Sequence, residues 1–143
     1  MIRYVLGFDF GESRIGIAVG QNFTKTASSL CTLRATNGKP NWDEIKKIVS
    51  EWNPEVFVIG LPINMDGTIS EMSEKTRKFA RKLNGRFNTP VHMIDERLST
   101  VEAKNSIRLG LTTHRMKSVK KRTLPSIDSE SARIILTSWL NDQ

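Results

Sequence analysis

With 143 residues, 38% of them apolar and only 9 Gly and 5 Pro, the chain has the size of one domain and enough apolar side chains for a core, which excludes a disordered or collagen-like polymer. One cysteine, Cys31, excludes an internal disulfide framework and a cysteine-based zinc cluster, and no apolar run approaches the roughly 20 residues of a membrane span. The formal charge of +7 is concentrated: Lys104 to Ile127 holds seven basic residues and no acid, leaving fifteen of each sign elsewhere.

Arg3 to Phe10 is aromatic and β-branched enough for a strand, Gly11, Glu12 and Ser13 make a turn, and Arg14 to Gln21 returns as a second strand. The opening run carries Asp9 and does not resemble a secretion signal, so a cytoplasmic protein without membrane contact is expected. A third strand is expected over Ala27 to Leu33. Asn41 to Trp52 has helical spacing, with Ile45, Ile48, Val49 and Trp52 on one face, and Asn41 and Glu44 are spaced as a capping box. Pro54 blocks continuation. Glu55 to Leu61 is almost wholly apolar, as in a strand covered on both faces. Thr68 and Glu71 form a second capping pair for a helix ending at Gly85. Val91 to Ile94 is a strand ending in Asp95, Glu96 and Arg97. Ser99 and Glu102 open a helix to Leu109, followed by an irregular basic stretch. A last helix from about Ile127 to Leu140 turns Ala132, Ile135, Leu136, Trp139 and Leu140 inward. The expected fold is α/β, one domain over 1–143, with a mixed five-stranded sheet and helices on both faces.

Three acids stand at element ends. Asp9 shares a strand face with Val5 and Gly7, opposite Tyr4, Leu6, Phe8 and Phe10. It is either a turn-forming residue or a carboxylate that must be paired or bind a metal. Asp95 and Glu96 end a strand where open α/β sheets bind ligands, and only one of them can share Asp9's face. Asp128 lies in the first turn of the last helix, where the dipole alone favours an acid. Neither His92 nor His114 has a Ser or Cys partner in the sequence pattern. Carboxylates that converge are hard oxygen ligands suited to Mg²⁺ or Mn²⁺, and paired ions of this kind support phosphodiester cleavage. The basic segment, with Arg115, Lys117, Lys120, Lys121 and Arg122, is either a polyanion footprint or a solubilising loop.

Four segments in order resemble the YqgF family: Gly7 to Gly20, Val58 to Thr68, Asp95 to Ala103 and Asp128 to Leu136. The resemblance covers nearly the whole chain. It implies an RNase H-like fold related to the RuvC-type Holliday junction resolvases. It also implies a nuclease in 5′ maturation of 16S ribosomal RNA precursors. Carried onto this chain, it names Asp9, Glu96 and Asp128 as catalytic metal ligands, with Asp95 as rival to Glu96, and Mg²⁺ or Mn²⁺ as cofactor. RNA is favoured over DNA as partner, and a monomer over a homodimer. Arg14 and Arg97 join the basic segment in nucleic-acid binding, and Asn64, Asp66 and Gly67 form a substrate loop. Family members show two alanines where this chain has Ser131-Ala132, and RuvC-type sites carry four acids rather than three. The alternatives are a Holliday junction resolvase and, of another class, a non-catalytic RNA-binding transcription or ribosome-assembly factor. An actin-like ATPase, whose phosphate loop the first motif also resembles, needs two such domains.

Overall fold

Strand alternation gives the first strand two unlike faces, and the fold is built on that difference. A computed structural model describes residues 3–62, 70–95 and 127–143. Within them run β1 (Tyr4–Asp9), β2 (Arg14–Gln21), β3 (Thr26–Thr36), β4 (Lys39–Pro40), α1 (Trp42–Trp52), β5 (Val56–Leu61), α2 (Glu71–Phe87), β6 (Val91–Asp95) and α3 (Ile127–Asn141). The sheet order is β4-β3-β2-β1-β5-β6. The first four strands pair antiparallel in chain order, while β5 and β6 run parallel to β1. No helix among the described residues is long and apolar enough to cross a membrane.

Six strands replace the expected five. The added one is β4, returned against β3 by Asn37 and Gly38, both at positive φ. An Asn-Gly pair is the strongest short hairpin signal, so this turn was present in the sequence.

One side of the sheet carries Leu6, Phe8, Ile15, Ile17, Phe57 and Ile59, covered by Ile45 of α1 and by Phe79 and Leu83 of α2. Phe8 meets Phe57 and Phe79 edge-on, at centroid distances of 5.7 and 5.8 Å. The other side carries Val5, Ala18 and Val58, covered by Ala132, Ile135, Leu136 and Leu140 of α3. Gly7 lets α3 settle close: a Cβ there would lie 2.9 Å from the Leu136 Cβ.

The helix ends correct three expectations. Asn41 caps α1, but its side chain accepts from the Asp43 N–H, so the expected box with Glu44 is not formed. The cap of α2 is Ser70, reciprocated by Ser73, whose buried hydroxyl also donates to the Pro62 carbonyl. Thr68, the expected cap, lies outside the described residues. Nor does α2 stop at Gly85. Burial of Phe87 against Phe57 and Trp42 carries the helix on, and Asn88 ends it in the left-handed conformation. The expected helix from Ser99 to Leu109 also falls outside the described residues.

Candidate active site

Asp9 is the last residue of β1, and the antiparallel register places Gly16 of β2 directly opposite it. Residues opposed in this way point to the same face of the sheet. That face is the one covered by α3, because Val5 and Ala18 on it pack against α3. The main chain of α3 comes down on Gly16. A Cβ at this position would lie 2.0 Å from the Asp128 carbonyl oxygen and 2.8 Å from the Ser129 nitrogen. Asp9 and Asp128 therefore flank one glycine, on one face, at one end of the sheet. Both are half-buried.

Several contacts hold this arrangement. The Arg14 Nε lies 3.3 Å from the Asp128 Oδ2. In the next turn of strand pairing, a register shift between Ile17 and Ala18 brings Ser29 rather than Leu30 opposite Ala18. The Ser29 hydroxyl can then donate to Glu130 of α3, at 3.0 Å. Arg133 donates to the same carboxylate through two nitrogens. The Arg133 hydrogen bonds hold the Glu130 carboxyl below the usual carboxylate range against the opposing effect of burial, with the Ser29 bond adding to them. The first turn of α3 is thus tied to both β2 and β3.

The turn after Asp9 is braced from its other side. Lys75 of α2 pairs with Glu12 and lies 3.6 Å from Glu71. The Gly38 N–H donates to the Glu12 carbonyl and the Ala35 N–H to the Ser13 carbonyl. A Cβ at Gly11 would sit 2.6 Å from the Arg14 carbonyl oxygen, so the turn is as tight as glycine allows.

Asp95 does not join this group. It ends β6 opposite Leu61, and alternation places it with Val91 and Met93 on the α2 side of the sheet. Ile94 and His92 face α3, His92 against the Trp139 ring. Glu96, Arg97, Asn64, Asp66, Gly67, Arg115, Lys117, Lys120, Lys121 and Arg122 lie outside the described residues. Among the described residues no three His, Cys, Asp or Glu side chains form a metal-binding group. The two acids brought together supply carboxylate oxygens only, a donor set that fits a hard divalent ion such as Mg²⁺. One residue at this end escaped the sequence reading. Arg34 of β3 stands directly opposite Arg14, a neighbour fixed by register alone.

The family model described as RuvX, Holliday junction resolvase, matches residues 3–142. A protein of Pseudomonas putida is 50% identical over 139 residues, covering 97% of this chain and 95% of its own. One of Actinobacillus pleuropneumoniae serotype 7 is 50% identical with both chains covered in full. Each is named "Putative pre-16S rRNA nuclease". Among solved structures, Thermus thermophilus RuvC in complex with a Holliday junction substrate superposes with a TM-score of 0.59 at 13% identity, covering 98% of this chain and 94% of that one. The fowlpox virus Holliday junction resolvase gives 0.58 at 15% identity, covering 99% of each. At such identities the likeness is one of fold, and it is the RNase H-like fold of the RuvC-type resolvases that the sequence led us to expect.

Proposed function

The chain belongs to the RuvX family, and from that premise we propose that residues 1–143 form a single cytoplasmic nuclease domain acting on structured RNA, in 5′-end maturation of the 16S ribosomal RNA precursor. The observation that carries the chemistry is the placement of Asp9 and Asp128 on either side of Gly16, on one face of the sheet. A pure polyanion binder gains nothing from acids beside its ligand's phosphates. The names of the half-identical relatives support RNA as substrate.

Asp9 and Asp128 would hold the divalent ion, Mg²⁺ or Mn²⁺. Glu96 would be the third ligand from its motif, a reading supported by its rival Asp95 belonging to the other side of the sheet. A bound ion supplies positive charge that activates an attacking water and stabilises the departing oxygen. The chain's own residues do the rest. Asp9 and Asp128 would fix the ligand oxygens on rigid elements, and the ties from Ser29 and Lys75 hold those elements in register. Arg14, Arg97 and the basic residues Arg115, Lys117, Lys120, Lys121 and Arg122 hold substrate phosphates, and Asn64, Asp66 and Gly67 border the substrate. The protein acts as a monomer.

Holliday junction resolution is the second reading, supported by the description of the family. Cleavage of labelled precursor RNA and of a four-way DNA junction, side by side with and without Mg²⁺, separates the two. We expect Mg²⁺-dependent cleavage of the RNA. Asp9→Asn removes one ligand charge at nearly constant volume, so cleavage should be lost while folding and RNA binding persist. Wild-type cleavage by this variant would exclude the mechanism. RNA binding by the native protein with no cleavage in Mg²⁺ would favour a non-catalytic assembly factor.

A further inference from the structure

Arg14 and Arg34 are direct partners across the antiparallel β2–β3 pair. Their side chains start from the same face, the one covered by α3 and bearing Asp9. Like charges directly opposed in a sheet are destabilising unless an anion lies between or beside them. Asp128 serves Arg14 in this way at 3.3 Å, through a contact in which the arginine side chain stays 68% exposed. Arg34 is exposed and has no acidic partner among the described residues. Two arginines therefore start side by side on the face that bears the two acids, one of them held by a carboxylate that the proposed ion would also need.

We propose that Arg14 and Arg34 form a two-arginine clamp for one backbone phosphate of the nucleic-acid substrate, and that Arg14 leaves Asp128 for that phosphate as Asp128 takes up its ion. The inference rests on the nuclease reading of the same site and adds Arg34 to it. The planar fork of a guanidinium matches two phosphate oxygens, and a pair of forks holds one phosphate from two sides. In the ion-free protein Arg14 is a built-in counter-charge that keeps Asp128 from lying bare beside Asp9. With substrate and ion present, the same arginine has a better anion within reach.

Two measurements free of turnover test this on the full chain. The first is binding of a fluorescein-labelled RNA hairpin in Ca²⁺, a hard ion that carboxylate oxygens also hold, followed by anisotropy across a salt titration. Arg34→Gln should weaken binding about fivefold and make the log–log salt slope shallower by about one unit, and Arg34→Lys should restore most of both. The second is Mn²⁺ binding without RNA, read by electron paramagnetic resonance. Arg14→Gln should bind Mn²⁺ about two- to fivefold more tightly, the scale of an exposed ion pair that no longer competes. Thermal melts followed by circular dichroism establish that each variant is folded. An unchanged RNA affinity and salt slope in folded Arg34→Gln would overturn the clamp. Unchanged or weaker Mn²⁺ binding in folded Arg14→Gln would overturn the exchange at Asp128. If the native protein cleaves RNA and Arg34→Gln binds normally, the clamp fails alone. If the variants behave as expected and nothing is cleaved, the nuclease reading fails alone.

Discussion

The two sides of β1 and β2 are made of different material. Towards α1 and α2 the strands present Leu6, Phe8, Phe10, Ile15 and Ile17, and aromatic rings fill the space to the helices. Towards α3 they present Val5, Gly7, Asp9, Gly16, Ala18 and Gly20, and the helix rests almost on the backbone. Large side chains bury more apolar area and contribute more of the stability. Small ones contribute less but let a helix approach closely enough for its first residues to reach a strand end. One side of the same strands holds the fold together, and the other aligns Asp128 with Asp9.

The contrast can be broken from the aromatic side first. Phe8→Ala removes the ring shared by Phe57 and Phe79, and should lower stability by roughly 3–5 kcal/mol in urea unfolding. On the glycine side the effect on stability should be smaller and the effect on activity larger. Gly16→Ala places a methyl group 2.0 Å from a main-chain oxygen of α3, which cannot swing aside as a side chain would. We expect a loss of about 1–3 kcal/mol and of RNA cleavage, as α3 lifts and separates the two acids. Full cleavage by folded Gly16→Ala would show that the close approach is not needed.

A glycine outside this seam sharpens the point. A Cβ at Gly85, within α2, would meet nothing within 4 Å. Gly85→Ala should therefore stabilise the protein by about 0.5–1 kcal/mol, through the cost of glycine in a helix, and leave cleavage unchanged. A destabilised variant, measured in the same urea series, would contradict it.

The smallest expected effect is electrostatic. Glu130 is held below the ordinary carboxylate range by Arg133 and Ser29, so its ionised form is favoured more in the folded than in the unfolded chain. The resulting stability is fully present above the unfolded value and is lost as pH falls through the lowered folded value. For a partly exposed ion pair it amounts to about 1 kcal/mol or less. Glu130→Gln should melt slightly below the native protein at neutral pH, and the two melting temperatures should converge in acid. Parallel curves across that range would remove the ion pair from the account of how α3 is anchored.

Local signals carried much of this architecture. Period-two alternation in β1 already separated Asp9 from Phe8, and helical spacing already turned Ala132, Ile135 and Leu136 inward. Such patterns are legible because a residue's face depends only on its neighbours in the chain. The end of α2 is not legible locally, for the opposite reason. Gly85 is a good local stop, but burial of Phe87 against residues from two other elements outweighs it.

The sequence by itself determined the strands, the inward faces of the helices and the four motifs that resemble one family. It could nominate Asp9 and Asp128 separately, each with a structural explanation of its own. Only the tertiary structure decided that they flank Gly16 on one face, that Asp95 falls on the other face of the sheet, and that Arg34 stands across from Arg14. Those relations depend on strand order, register and the depth at which α3 seats on Gly16. All three are set by pairings between residues far apart in the chain, whose geometry no local pattern encodes.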